Sequence, residues 1–299
     1  MSSVSLKPLD QQVIVITGAS SGIGLCTAES AASKGAAVVL AARSGDTLDE
    51  IVDRIAAAGG RCVSVMADVA ERSDMQKVAD TAVAHFGRID TWVNNAGLAI
   101  YGRLDEVSEA DSRRLFDINF WGVVNGSLVA VPRLRKQGGA LINIGSEVSE
   151  AAVPILGMYV ASKHAVKGFT DALRIELERI DQAPVSVTLI QPTAVDTPFD
   201  EHARNYMDKE PNLPTPQLDP QDVADAILKA ATKPTRDIRV GMMSKVNTFA
   251  AKNLPGVADR MAAKQVENLQ RDEPPRAPDG TLYHPGESGH VHGNHAQAT

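Results

Sequence analysis

Val13-Ile14-Val15-Ile16-Thr17-Gly18-Ala19-Ser20-Ser21-Gly22-Ile23-Gly24 decides the architecture of this chain. Val13–Thr17 is too short for a helix and rich in Val and Ile, the pattern of a strand buried on both faces. Gly18 permits a tight turn, Gly22 lets the backbone approach a pyrophosphate, and Gly24 allows the helix that starts there to pack closely. The helix N-terminus adds unpaired amides and a partial positive charge for an anion. A glycine triad alone is weak. Between a strand and a helix it predicts a dinucleotide cradle.

Outward from this unit the same alternation repeats. Short apolar runs at 37–41, 63–67, 89–94, 140–144, 185–190 and 237–240 read as strands. Helix-like stretches at 23–34, 47–58, 74–86, 111–136, 159–180 and 220–232 lie between them. Strand, helix, strand in this order predicts an α/β fold with right-handed crossovers: a Rossmann-type doubly wound sheet of about seven parallel strands in three α/β/α layers. Residues 1–245 form that domain, 246–270 a helical C-terminal extension broken at Pro255, and 271–299 an extended or disordered arm rich in Pro, Gly and His.

Composition narrows the function class. The net charge of −7 opposes non-specific nucleic-acid binding, which needs a positive field, and aromatics are only 4%. Cys26 and Cys62 are the only two cysteines and sit in helix and strand patterns, so neither a disulfide framework nor a zinc site is expected. Residues 1–9 lack the apolar stretch of a secretory signal, and the chain has no unbroken run of about eighteen apolar residues. The expectation is a cytoplasmic protein with no nucleic-acid or membrane partner.

The second strand ends Leu40-Ala41-Ala42-Arg43-Ser44, with no carboxylate before Asp46. An acidic residue here holds the ribose 2′-hydroxyl of NAD, whereas a guanidinium fork suits a 2′-phosphate. Arg43 therefore favours NADP(H); NAD(H) is the alternative if Arg43 is merely solvated.

Tyr159 and Lys163 stand at i and i+4, on one face of a helix. Ser146 closes a strand thirteen residues before Tyr159, and Asn119 lies in an earlier helix-like stretch. Together with the spacing T-G-x-x-x-G-x-G, Asn94-Asn95-Ala96-Gly97 and Tyr159-Val160-Ala161-Ser162-Lys163, these residues resemble the short-chain dehydrogenase/reductase family over about residues 10 to 240. The resemblance implies an oxidoreductase acting on CH–OH groups, with Asn119, Ser146, Tyr159 and Lys163 catalytic. It places Gly18, Ser20, Ser21, Gly22, Ile23 and Gly24 around the diphosphate, and Asp68-Val69 at the adenine. Asn95, Ala96 and Gly97 pass close to the ribose, while Asn94 ties neighbouring strands together. Pro192, Thr193, Val195 and Thr197 belong to a further cofactor-binding segment, with Thr193 standing where the family has glycine and Thr197 placed to contact the nicotinamide carboxamide or the diphosphate. Some NADP-using relatives carry a second basic residue at the place of Ser21.

The chemistry suits these residue types. Hydride arriving at a carbonyl leaves an alkoxide to be protonated, and an unperturbed Tyr has a pKa of about 10. An ammonium about 5 Å from Tyr159, at an effective dielectric near 20, favours the phenolate by roughly 3 kcal/mol, about two pKa units. Ser146 would hydrogen-bond the substrate oxygen, Lys163 would hold the nicotinamide ribose as well, and Asn119 would position a water relaying protons to Lys163.

The family's mobile lid corresponds to 193–217, with Phe199, Tyr206 and Met207. Leu98, Tyr101, Val148, Val153, Ile155 and Leu156 would complete an apolar pocket for a hydrophobic small-molecule carbonyl or alcohol. The helices at 111–136 and 159–180 resemble those of the family's subunit four-helix bundle, which implies a homodimer or homotetramer. His284, His290, His292 and His295 are spaced too flexibly to fix a metal, and none is expected. A non-enzymatic NADP-sensing regulator is the alternative of another class. Such a protein would drop one of the four catalytic residues, and this sequence keeps all four.

Overall fold

The computed structural model describes residues 4–264, 266–286 and 288–293. Seven strands form one parallel sheet: β1 Val13–Thr17, β2 Ala37–Ala42, β3 Arg61–Met66, β4 Thr91–Asn94, β5 Gly139–Ile144, β6 Val185–Pro192 and β7 Asp237–Val240. Their spatial order is β7-β6-β5-β4-β1-β2-β3. Chain order thus reverses between β1 and β4, and the carboxyl ends of those two strands open a crevice.

Alternation along the strands builds two cores. Val13 and Val15 face one helical layer together with Trp92, Leu115 and Leu141. Ile14 and Ile16 face the other with Leu25, Leu40, Val93 and Ile142. Every residue of β1, β2, β4, β5 and β6 is buried, whereas the edge strands β3 and β7 are partly exposed. That is why the central strands read as unbroken apolar runs. On the second layer lie α1 Gly22–Ser33, α2 Gly45–Ala57 and α7 Pro220–Thr232. Asp219 caps α7 by accepting from the amide of Gln221, and Pro220 takes the first helical position, where its missing amide costs nothing.

On the first layer are α3 Arg72–Phe86, α4 Glu109–Phe116, α5 Gly122–Gln137 and α6 Gly157–Arg174. The single helix expected over 111–136 contains a π turn at Asp117–Trp121 between α4 and α5, and the one over 159–180 ends in a π turn at Ile175–Ile180. Periodicity sees neither, because one extra residue in a turn leaves the apolar spacing nearly intact. Among the described residues the continuous helix 109–137 is long and apolar enough to cross a bilayer by length and composition alone, with mean hydropathy 1.2 in its best window. That window is 61% buried within the protein, as a core helix would be.

Asn94 acts as a strand tie. Its Nδ2 donates to Asn143 Oδ1 at 2.8 Å on neighbouring β5 and to Ser127 Oγ at 3.0 Å on α5, while its Oδ1 accepts from Trp92 Nε1 at 2.8 Å. All of these groups are buried. Asn94→Ala is expected to strand three buried polar partners and cost about 2–4 kcal/mol, at roughly 1 kcal/mol or more for each. Urea denaturation would show it as a lower midpoint with an unchanged slope.

Beyond β7 the chain forms α8 Met242–Asn253 and α9 Pro255–Lys264, with Pro255 opening the second helix. The following stretch runs back over the carboxyl end of the sheet, without regular structure after Arg271.

Candidate active site

The crevice at β1 and β4 is a cavity of about 630 Å³. The glycine turn forms its floor. Gly18 has φ +63, and a Cβ there would lie 2.7 Å from Ala96 Cα; one on Gly24 would lie 2.1 Å from Gly18 O. The turn is therefore closed against 95–97 and against its own helix, and only glycine fits either place. Thr17 Oγ1 accepts from the amides of Asn95 (3.0 Å) and Ala96 (3.2 Å), and Asn95 Nδ2 returns bonds to the carbonyls of Thr17 and Gly18. These contacts fix a groove in which the start of α1 presents its amides. Its shape and polarity fit the diphosphate of a dinucleotide.

All the residues expected at the cofactor line this cavity except Gly24, which packs beneath it. The sequence pattern marks Gly24 because helix and turn touch there, which is a packing demand rather than a ligand contact. Thr197 sits against Gly22, 3.1 Å from where its Cβ would be, and Thr193 Oγ1 donates to Glu147 Oε1 at 2.9 Å. Asp68 is already engaged: its carboxylate accepts from Arg114 (2.5 Å) and from the amide of Ala70. Arg43 is half-buried, and both of its terminal nitrogens donate to backbone carbonyls of the arm, Nη1 to Leu282 and Nη2 to Thr281.

Ser146, Tyr159 and Lys163 share one wall. Ser146 caps a short turn, its Oγ accepting from the amide of Val148, and its hydroxyl is a hydrogen-bond partner of the Tyr159 phenol. Lys163 is buried; its Nζ lies 5.7 Å from the Tyr159 ring centre and donates to the carbonyl of Ile144 at 2.9 Å. Asn119 does not line the cavity. It is fully buried at the π turn, with Oδ1 accepting from the amide of Leu98 and Nδ2 donating to Leu98 O and Ser162 Oγ. It still lies close behind the site, since a Cβ on Gly97 would be 3.4 Å from Asn119 Oδ1 and 3.5 Å from Lys163 Nζ.

The electrostatics differ from the sequence expectation. Burial pushes the Tyr159 phenol up to about 12, with the Ser146 hydrogen bond opposing and Glu147 adding to the rise. Burial also lowers Lys163 to about 8. A Coulomb estimate at fixed separation leaves out this desolvation, which is the largest cause of both shifts. Glu147 is a neighbour of Tyr159 that sequence reasoning missed; its place directly after Ser146 was the available signal.

The substrate side is partly as expected. Leu98, Val148, Val153, Leu156 and Phe199 line the cavity, with the Phe199 ring tilted 60° against Tyr159 at a centroid distance of 5.5 Å. Tyr101, Ile155, Tyr206 and Met207 are not on its wall. Tyr101 is fully buried beneath it, and Tyr206 donates to Asp111 Oδ2 at 2.7 Å, pinning the lid to α4. Their places are taken by Leu213 and Pro214, and by Ala250, Ala251, Ala258 and Met261 from α8 and α9, a region whose pattern shows only amphipathic helices. Among the described residues no three His, Cys, Asp or Glu side chains could share a metal, and His295 lies outside the described residues.

Known proteins agree with this geometry. The short chain dehydrogenase family matches residues 12–208. An oxidoreductase of Bacillus subtilis, YxnA, is 44% identical over 288 residues, 95% of this chain and 81% of the relative. A short-chain dehydrogenase/reductase from Burkholderia phymatum, solved with NAD, superposes with a TM-score of 0.71 at 29% identity, covering 89% of this chain and 98% of that one. An alcohol dehydrogenase from Thermococcus sibiricus, complexed with 5-hydroxy-NADP, gives 0.67 at 29% identity, covering 77% and 94%. The chain belongs to the short-chain dehydrogenase/reductase family and is an NAD(P)-dependent oxidoreductase acting on hydroxyl or carbonyl groups.

Proposed function

We propose that the chain is an NADP(H)-dependent oxidoreductase that interconverts a hydrophobic ketone and its secondary alcohol. The observation that carries this reading is the meeting of Ser146, Tyr159 and Lys163 with the glycine turn and Arg43 around one cavity. The nicotinamide, when bound, supplies or accepts the hydride. Ser146 holds the substrate oxygen, Tyr159 gives it a proton or takes one, and Lys163 orients the ribose. Asn119 acts from behind, fixing the backbone at Leu98 and the hydroxyl of Ser162. Apolar side chains opposite Tyr159 exclude water and select the hydrophobic part of the substrate. A panel of ketones and alcohols followed by NADPH absorbance, with Tyr159→Phe as control, tests it. Binding of NADPH without turnover of any member would sink the substrate reading.

Arg43 supports NADP through its place at the end of β2 beside Asp68, where a 2′-phosphate would meet its fork. Arg43→Ala should raise KM for NADPH by about tenfold to a hundredfold while changing KM for NADH less than about threefold, the loss expected for one charged contact. An NAD-dependent enzyme is the second reading, favoured by the engagement of Arg43 with the Thr281 and Leu282 carbonyls. The ratio of kcat/KM for the two cofactors separates them. The unpaired thiols Cys26 and Cys62 support a reducing cytoplasm. Exposed Trp121, Leu128 and Ile175, on the helices that would form a four-helix bundle, support a homodimer or homotetramer.

A further inference from the structure

The C-terminal arm, read from sequence as a tail, is built into the dinucleotide cavity. The amide of Thr281 donates to His202 O at 2.9 Å, and Tyr283 Oη donates to Asp111 Oδ1 at 2.8 Å. Between them Leu282 is fully buried in the core layer that holds Val69 and Leu115. Its carbonyl accepts from Arg43 and from Arg114 Nε, both at 3.3 Å, and the Thr281 carbonyl takes the other arm of the Arg43 fork. Further along, Ser288 Oγ bonds Thr47 Oγ1 at 3.2 Å, and Gly289 donates to Ser20 O at 2.7 Å. His290 O accepts from the amide of Gly22 at 3.1 Å, and His292 Nδ1 lies 3.0 Å from Asp196 Oδ2. Thr281, Pro285, Gly286 and Ser288 form cavity wall.

We propose that Thr281 and Leu282 are specificity-determining residues: their carbonyl oxygens compete with a 2′-phosphate for the Arg43 guanidinium. The inference rests on Arg43 being the 2′-phosphate site and adds what controls that site. A carbonyl oxygen is a neutral acceptor that satisfies the half-buried guanidinium, and it also places lone pairs where phosphate oxygens would come. NADP(H) therefore binds when this stretch of the arm lifts from Arg43, whereas NAD(H), with only a hydroxyl there, binds with it in place. The apparent affinity for the phosphorylated cofactor falls in proportion to the fraction of chains with the arm lifted. Gly289 and His290 face the diphosphate cradle, which both cofactors share, so a comparison of the two isolates the effect at Thr281 and Leu282.

Hydrogen exchange on the intact protein tests this directly. Saturating NADPH should speed exchange of the amides at 281–283 relative to saturating NADH. Equal or greater protection with NADPH overturns the proposal. Direct binding, read by cofactor fluorescence, gives a second test on a chain truncated after Arg276 and on full-length Leu282→Asp, which places a carboxylate at a fully buried position. Each should lower the NADPH:NADH ratio of Kd values by roughly tenfold, the change expected when the arm is lifted in about a tenth of intact molecules. An unchanged or raised ratio overturns the proposal, and if the truncated chain does not fold, the other two measurements decide it. Arg43→Ala distinguishes the two layers of the argument. If it leaves the NADPH:NADH ratio untouched in the intact and Leu282→Asp chains alike, the reading of Arg43 fails and takes the arm proposal with it. If it removes NADPH discrimination while exchange at 281–283 is indifferent to the cofactor, only the arm proposal fails.

Discussion

Tyr159→Phe is expected to lower kcat for carbonyl reduction by about a thousandfold or more, within the range for removing a positioned general acid, and to leave cofactor affinity within a factor of about two. The phenol stands beside Ser146 on the cavity wall, and with a pKa raised to about 12 it stays protonated at neutral pH. It is thus ready to protonate an alkoxide, and Phe keeps the ring contact with Phe199 while losing only the hydroxyl. Single-turnover reduction under saturating NADPH measures the effect without interference from product release. Residual activity above about a tenth of wild type would mean that another group delivers the proton, since one proton-transfer catalyst is worth a factor of a hundred or more. The raised pKa also predicts a direction. Alcohol oxidation needs the phenolate, so its rate should climb as pH rises above neutral toward 12.

Lys163→Met is expected to cut kcat/KM by roughly a hundredfold or more, because the charge and hydrogen bonds that orient ribose and phenol are lost together. It should also make the protein more stable at pH 7. Burial lowers the Lys163 pKa from 10.5 to about 8, so between those values the unfolded chain binds the proton that the folded chain has released. Wild-type stability therefore rises with pH through that window, and below it the folded state carries the full cost of a buried charge. Met removes the charge while filling a similar volume. The gain is about 3 kcal/mol, less about 1 kcal/mol for the lost bond to Ile144 O. Thermal unfolding at pH 7 and pH 10 should show a higher Tm for the variant at pH 7 and a smaller difference at pH 10. A variant less stable than wild type at pH 7 would mean that the Lys163 hydrogen bond outweighs its desolvation.

Much of the fold was legible because strand and helix periods are local. Asp237–Val240 and Pro220–Thr232 match the structure residue for residue, the latter because Asp219 and Pro220 write a helix start into the chain. The π turns were not legible, since their signal is one extra residue inside a helix that keeps its apolar face. In the site, Ser146, Tyr159 and Lys163 were readable from type and spacing, whereas the water-positioning role expected of Asn119 was not settled by spacing. Its side chain is consumed by Leu98 and Ser162, contacts formed between separate elements. Tyr101, expected on the pocket wall, and Tyr206, expected in the lid, both stand off the cavity, because an aromatic is equally suited to wall and to support.

By itself the sequence determined the doubly wound sheet, the glycine turn at 18–24 and the reaction class, because each depends on residues close in the chain or on a period of two or 3.6. Only the tertiary structure decided how buried Tyr159 and Lys163 are, and hence which way their pKa values move, because desolvation depends on everything packed around a group. It also decided what Arg43 touches. A guanidinium at the end of β2 has the same local sequence whether it meets water, a phosphate or residues 281 and 282, and a contact across more than two hundred residues leaves no trace in local spacing.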